Sequence, residues 1–190
     1  FSDHGVKRLK GGICLNQWLR DEGYLSLKAE PDGCTPLRPE IVDWSRTRAW
    51  AAGGHVGRVF VNVRGRQPQG IVEPSELESL CTQIGAGLQS INCENGGAIN
   101  TRVFRPQQLY RECNNFPPDL TVYFGDLDYR AVGTLGHATI EIAENDTGSD
   151  DANHDVHGLF IGHVPGFSGG QLTGMRLIEC GPAILQLLGA

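Results

Sequence analysis

Leu77, Leu80, Cys81, Ile84, Leu88 and Ile91 recur at steps of three and four residues. That spacing lines one face of an α-helix. A strand would scatter the same set over both faces, because strand side chains alternate with period two. Pro74 suits the first turn, where its missing N–H has no bond to lose. The pattern predicts a helix over 74–91, and a helix apolar on one side must lie on a second layer. Strand-like segments supply that layer. Arg58–Arg64 is apolar on both faces, as in a buried sheet. Thr101–Arg105 and Leu120–Phe124 read as strands around a short helix at Pro106–Glu112. Ala138–Ala143 alternates Ile140 with Ile142, and Leu159–Ile161 reads as a buried strand. Nearer the start, Ile13–Glu22 reads as a helix stopped by Gly23, followed by a short strand at Tyr24–Leu27. Asn92–Asn100 is a turn region and Asn145–Asp155 an acidic loop. Pro182–Leu188 is a closing helix ended by Gly189. Helices alternating with strands predict a layered α/β fold. No repeat or linker divides it, so residues 1–190 read as one domain.

Composition narrows the function classes. The 190 residues carry a formal charge of −6 and no Lys/Arg-rich run, which argues against a nucleic-acid scaffold. No apolar run approaches the ~18 residues of a membrane span. Glycine is abundant, at 26 residues, without a Gly-X-Y period, as in a loop-rich globular chain. None of the six cysteines forms a Cys-x-x-Cys pair. Reduced thiols in a cytoplasmic protein are the expectation. An extracytoplasmic location stays open if a signal precedes Phe1.

Three clusters carry chemistry. Asp3-His4 places an anionic oxygen beside a neutral nitrogen, a donor pair that suits zinc or manganese, and equally a surface turn. His154 and His157 form an H-x-x-H just ahead of Leu159; a solvated loop would carry the same residues. Asp150 and His154 also spell D-x-x-x-H, which the many acids around them produce by chance. Arg64 and Arg66 lie in a Gly/Pro-bounded loop at a strand end and could grip an anion such as phosphate, or stand exposed on a turn. His55, His137 and His163 receive no role. No G-x-S-x-G or P-loop pattern is present.

Several segments in order resemble the C-terminal part of the type I phosphodiesterase/nucleotide pyrophosphatase family of the alkaline phosphatase superfamily. They are Ser2-Asp3-His4-Gly5, Leu15–Leu19 with Gly23–Leu25, Asp43–Ala49, and Asn62–Gly70 with Ile71-Val72. Pro118-Asp119-Leu120 follows, then His154 ahead of Gly158–Ile161, then Pro182–Leu185 with Leu188-Gly189. The likeness covers nearly the whole chain and is greatest to a bacterial branch described as phosphohydrolases or phosphomutases.

The resemblance implies a layered α/β/α sheet of the alkaline phosphatase type, N-terminally truncated, and a site with two divalent metals, usually zinc, about 4 Å apart. Asp3 and His4 match the pair that ligates the metal beside the nucleophile. His154 matches the late ligand of the second metal, and His157 falls at a neighbouring polar position outside the ligand set. Such metals activate a Ser or Thr hydroxyl and stabilise the leaving oxygen. In relatives the nucleophile, the first Asp ligand and a D-x-x-x-H pair all precede the Ser-Asp-His-Gly motif. The expectation is therefore a C-terminal portion of a metal-dependent phosphoester hydrolase with no nucleophile of its own, inactive by itself. Its partners would be the missing N-terminal part and a phosphorylated small-molecule substrate. A phosphomutase of the same superfamily, or a non-catalytic metal- or anion-binding module, is the alternative.

Overall fold

The helical face over 77–91 is realised as expected. Leu80, Cys81, Ile84 and Leu88 are buried, while the intervening positions are mostly exposed. A one-turn 3-10 helix at Pro74–Glu76 starts it, with the Glu76 carboxylate accepting the Glu73 N–H at 3.1 Å. The computed structural model describes residues 1–143, 151–163, 168–171 and 173–189.

The elements in chain order begin with β1 (Gly5–Arg8), β2 (Gly11–Cys14), α1 (Leu15–Asp21), β3 (Thr35–Pro36), β4 (Ala49–Ala52) and β5 (Gly57–Val61). Then come α2 (Leu77–Gln89), β6 (Arg102–Phe104), α3 (Pro106–Leu109), β7 (Leu120–Tyr123) and β8 (Tyr129–Val132). The series ends with β9 (Thr134–Leu135), β10 (Glu141–Ile142), β11 (Ala152–Asp155) and α4 (Leu177–Leu187). Among the described residues the protein is thus mixed α/β, with four α-helices and several small sheets. No described helix is long and apolar enough to cross a membrane.

The chain divides into two compact units. One is Lys7–His154; the other joins Phe1–Val6 to Asp155–Ala190. In the larger unit an antiparallel sheet runs in the order β4-β5-β7-β6. A second sheet, β10-β2-β8, pairs β2 parallel to β8 and antiparallel to β10. The core gathers Ile13, Leu15 and Leu19 with Val59, Val61, Val122, Ile84 and Leu88, all closed to solvent. Asn16 locks the sheets together: its amide donates to the Ala51 and Gly133 carbonyls at 2.8 and 2.7 Å and its oxygen accepts the Ala51 N–H at 2.8 Å. Three bonds from one buried side chain explain how a polar residue sits in the core without an unpaired atom.

Several sequence expectations are corrected. The helix expected over Ile13–Glu22 begins only at Leu15, because Gly11–Cys14 is a strand bonded on both sides. Tyr24–Leu27 is not a strand; Leu25 is buried and Leu27 makes a single bridge to Val42. The Arg58–Arg64 strand stops at Val61, and beyond it Val63 makes only an isolated bridge to Val72. Only Glu141–Ile142 of the 138–143 segment is strand. Ala152–Asp155 is a strand where a loop was expected, and residues 144–150, Asp150 included, lie outside the described set. Leu159–Ile161 is neither a strand nor buried: Leu159 is 61% and Ile161 77% exposed. A short apolar run states only that burial would be favourable, not that a partner strand is there to receive it. The closing helix starts five residues early, at Leu177, with Pro182 inside it. The Glu179 carboxylate takes the Arg176 N–H at 2.8 Å to begin that helix, and Pro182 forfeits one internal bond.

Candidate functional site

Ser2-Asp3-His4-Gly5 is held by backbone contact with a segment more than 150 positions away. The Ser2 N–H donates to the Leu159 carbonyl at 2.8 Å, and the Leu159 N–H returns to the Ser2 hydroxyl at 2.8 Å. Two glycines make the approach possible. A side chain at Gly5 would run into the His157 carbonyl, and one at Gly158 would come within 2.6 Å of the Ser2 carbonyl. Only residues without Cβ fit there.

Within this segment the Asp3 carboxylate faces the His4 ring, with Oδ1 3.7 Å from Nε2. His4 Nδ1 lies 2.8 Å from the Gly5 carbonyl oxygen. A carbonyl only accepts, so Nδ1 carries the proton, and in the neutral ring the lone pair belongs to Nε2. The smaller unit also brings His157 and Asp155 to this place. The His157 carbonyl faces Gly5, Asp155 Cβ lies beside it, and Asp155 Oδ1 accepts the His157 N–H at 3.1 Å. Asp155 had no signal in the sequence beyond its place in an acidic run.

His154 belongs to the larger unit. Its ring stacks on His55, with centroids 3.7 Å apart and an interplanar angle of 24°. Asn153, 2% exposed, organises the pair. Its amide donates to the Leu127 carbonyl at 2.8 Å, and its oxygen accepts the His154 N–H at 2.9 Å. That oxygen is also 2.7 Å from His55 Nδ1, which must therefore be the donor. His55 was left without a role by sequence reasoning, since no spacing links residues 98 positions apart. Among the described residues no three His, Cys, Asp or Glu side chains group closely enough to hold a metal by themselves.

The arginines expected to grip an anion have partners within the chain. Arg66 makes a two-pronged ion pair with Asp119 at 2.8 and 2.6 Å, and a third bond to the Val61 carbonyl at 2.7 Å. Asp119 also accepts the Val61 N–H at 2.7 Å and is 5% exposed. Arg64 pairs with Glu73 at 2.6 Å at the surface. Asn62 donates to the carbonyls of Trp44, Thr47 and Gln69 at 3.2, 2.9 and 2.9 Å. Three segments separated in sequence, at Asp43–Ala49, Asn62–Gly70 and Pro118–Leu120, are thus tied into one frame.

A cleft of about 500 Å³ opens elsewhere in the larger unit, lined by Lys10, Asn100, Arg102, Asp126, Asp128 and Tyr129 among others. Gly125 and Asp126 of its wall, with the next residue Leu127, are three successive residues in the left-handed region, with φ of 59°, 55° and 70°. For Leu127 this conformation costs on the order of 1–3 kcal/mol. Its own burial and the Asn153 bond to its carbonyl hold it there. Asp128 receives Lys7 at 2.7 Å and Lys10 at 2.8 Å, while Arg102 pairs with Asp126. Burial would raise the Asp128 carboxyl, but hydrogen bonds to Lys10 and Lys7 and their charges outweigh it and hold it below the ordinary value. A depressed folded-state carboxyl stabilises the protein above its unfolded pKa, near 3.9, and that contribution fades as pH falls through the folded value. Asp128→Asn is expected to flatten the acid limb of stability below about pH 4. Urea unfolding midpoints of both proteins across that range measure it, and parallel acid limbs would refute it.

No family model, curated protein or solved structure matches this chain.

Proposed function

We propose that this chain carries the Asp-His and late-His ligands of a divalent-metal phosphoester hydrolase, of phosphodiesterase or nucleotide pyrophosphatase type, on a layered fold like that of alkaline phosphatase. The geometry of Asp3 and His4 is the observation that supports it. A tetrahedral ion with bonds of about 2.0–2.1 Å sets neighbouring ligand atoms roughly 3.3–3.4 Å apart. The 3.7 Å between Asp3 Oδ1 and His4 Nε2 needs only a small side-chain rotation to reach that. The Gly5 carbonyl on Nδ1 is the support that orients metal-binding imidazoles and leaves Nε2 as the donor atom.

In this reading Asp3 supplies the anionic donor and His4 the neutral one, suited to zinc or manganese. The paired Ser2–Leu159 bonds hold both donors in place. His154, in the larger unit, matches a ligand position by the resemblance alone, and its ring is steadied by His55 and Asn153. When bound, such an ion neutralises phosphoryl charge and stabilises a leaving oxygen. Arg66 keeps its guanidinium on Asp119 and shapes the Asn62–Gly70 loop.

Zinc titration of the 190-residue chain, followed by the ring-nitrogen resonances of its histidines, tests the reading. The expected result is a weak, saturable shift of His4 Nε2 that Asp3→Asn diminishes. Zinc that moves other histidines and leaves His4 Nε2 in place would overturn it.

A further inference from the structure

Three side chains that the metal reading does not use meet where β3 and β9 pair. The register Thr35↔Leu135 and Pro36↔Thr134 sets Cys34 beside the turn that follows Leu135, although 103 positions separate Cys34 from His137. Cys34 Sγ lies 3.6 Å from His137 Nε2, and the Thr134 hydroxyl lies 2.7 Å from the same nitrogen. The support is rigid. Leu135 is closed to solvent in the core, and the Gly136 N–H donates to Gln17 Oε1 at 3.1 Å. Gly136 has φ of 83°, and a side chain there would collide with the Gly33 carbonyl. Cys34 itself is exposed and His137 half-buried.

An imidazole in contact with an exposed thiol can take its proton as the sulfur attacks. Once Nε2 is protonated, its N–H faces a sulfur and a hydroxyl oxygen, both of which accept, so the ring stays oriented through the step. The other cysteines lack this arrangement. Burial pushes the Cys81 thiol up to about 11, and Cys14 and Cys180 are also buried. Cys93 is half-buried with its sulfur 3.1 Å from the Tyr129 hydroxyl. Cys113 is exposed too, but among the described residues no imidazole is recorded in contact with it.

The geometry points to Cys34 as a modification site, at which His137 acts as base for exchange with the disulfide of an oxidised low-molecular-weight thiol. In the step, the Cys34 proton passes to His137 Nε2 and the sulfur forms a bond to one sulfur of the reagent. The reagent's S–S bond breaks, and its second sulfur leaves with the electron pair and takes the proton back from His137. One mixed disulfide and one free thiol result, with no net change in oxidation state.

Oxidised glutathione is the probe, with acid quenching and peptide mass spectrometry to follow each cysteine separately in the whole chain. At pH 7 Cys34 is expected to react about tenfold faster than Cys113, a modest share of what a positioned base can supply. In His137→Gln the two rates should fall within about twofold of each other. Continued protection of Cys81 reports that the variant is folded. In 6 M guanidinium the native chain should also lose the difference, which covers the case of a variant that does not fold. Equal rates in the native chain, or a difference that survives either His137→Gln with Cys81 protected or guanidinium, would overturn the proposal.

Discussion

Asp119→Ala is expected to destabilise the larger unit by about 3–5 kcal/mol, the range for removing one partner of a buried, hydrogen-bonded ion pair. Two things are lost together. Arg66, whose side chain is 28% exposed, loses its two-pronged partner, and the Val61 N–H loses its acceptor at the end of β5. For a chain of this length each kcal/mol lowers the melting temperature by roughly 2–4 °C, so a drop of roughly 6–20 °C should follow. The double variant Asp119→Leu with Arg66→Met should recover part of it, because no buried charge is left unpaired. Arg64→Ala provides the contrast. Its pair with Glu73 is exposed on both sides, and such pairs contribute at most about 1 kcal/mol. Thermal unfolding of the four proteins decides the matter. An Asp119→Ala shift no larger than that of Arg64→Ala would remove Arg66 and Asp119 from the frame.

The second large effect concerns catalysis and rests on the metal reading. On that reading, a longer protein in which a nucleophile-bearing region of the resembled family is joined ahead of the Ser2–Gly5 motif is expected to release nitrophenol from bis-p-nitrophenyl phosphate in a zinc- or manganese-dependent manner. The 190-residue chain should not, because two-metal catalysis needs a nucleophile held in line as well as the ions. In the longer protein His4→Ala should reduce turnover by more than about 100-fold, since changing residues that merely support metal ligands costs about 10–100-fold. Gly5→Ala should act through the same ligand, because the added methyl collides with the His157 carbonyl and shifts Gly5, whose own carbonyl orients the His4 ring. Metal-dependent turnover by the 190-residue chain would overturn the reading that it has no nucleophile of its own, and full activity of the His4→Ala protein would overturn the assignment of His4.

What could be read in the amino-acid order was whatever is local. The face of α2 was legible because Leu80, Cys81, Ile84 and Leu88 state their own period. β7 was found where expected because Leu120–Tyr123 is apolar and β-branched within a few residues. Asp3 and His4 lie side by side because neighbours in sequence stay neighbours in space. β4, β2 and β8 were not foreseen. Ala49–Ala52 and Gly11–Cys14 have weak strand propensity, and their pairing with neighbouring strands, not their own side chains, makes them strands. The Leu159–Ile161 expectation failed for the reverse reason: strong propensity and, among the described residues, no partner strand. Other contacts that give candidate residues their surroundings join distant positions. Arg66 meets Asp119 across 53 residues, His55 meets Asn153 across 98, and Cys34 meets His137 across 103. Strand register sets those meetings, and register is a property of paired strands rather than of either segment alone. The residue types that could do chemistry were therefore determined by the sequence, and the partner each side chain holds was decided only by the tertiary structure.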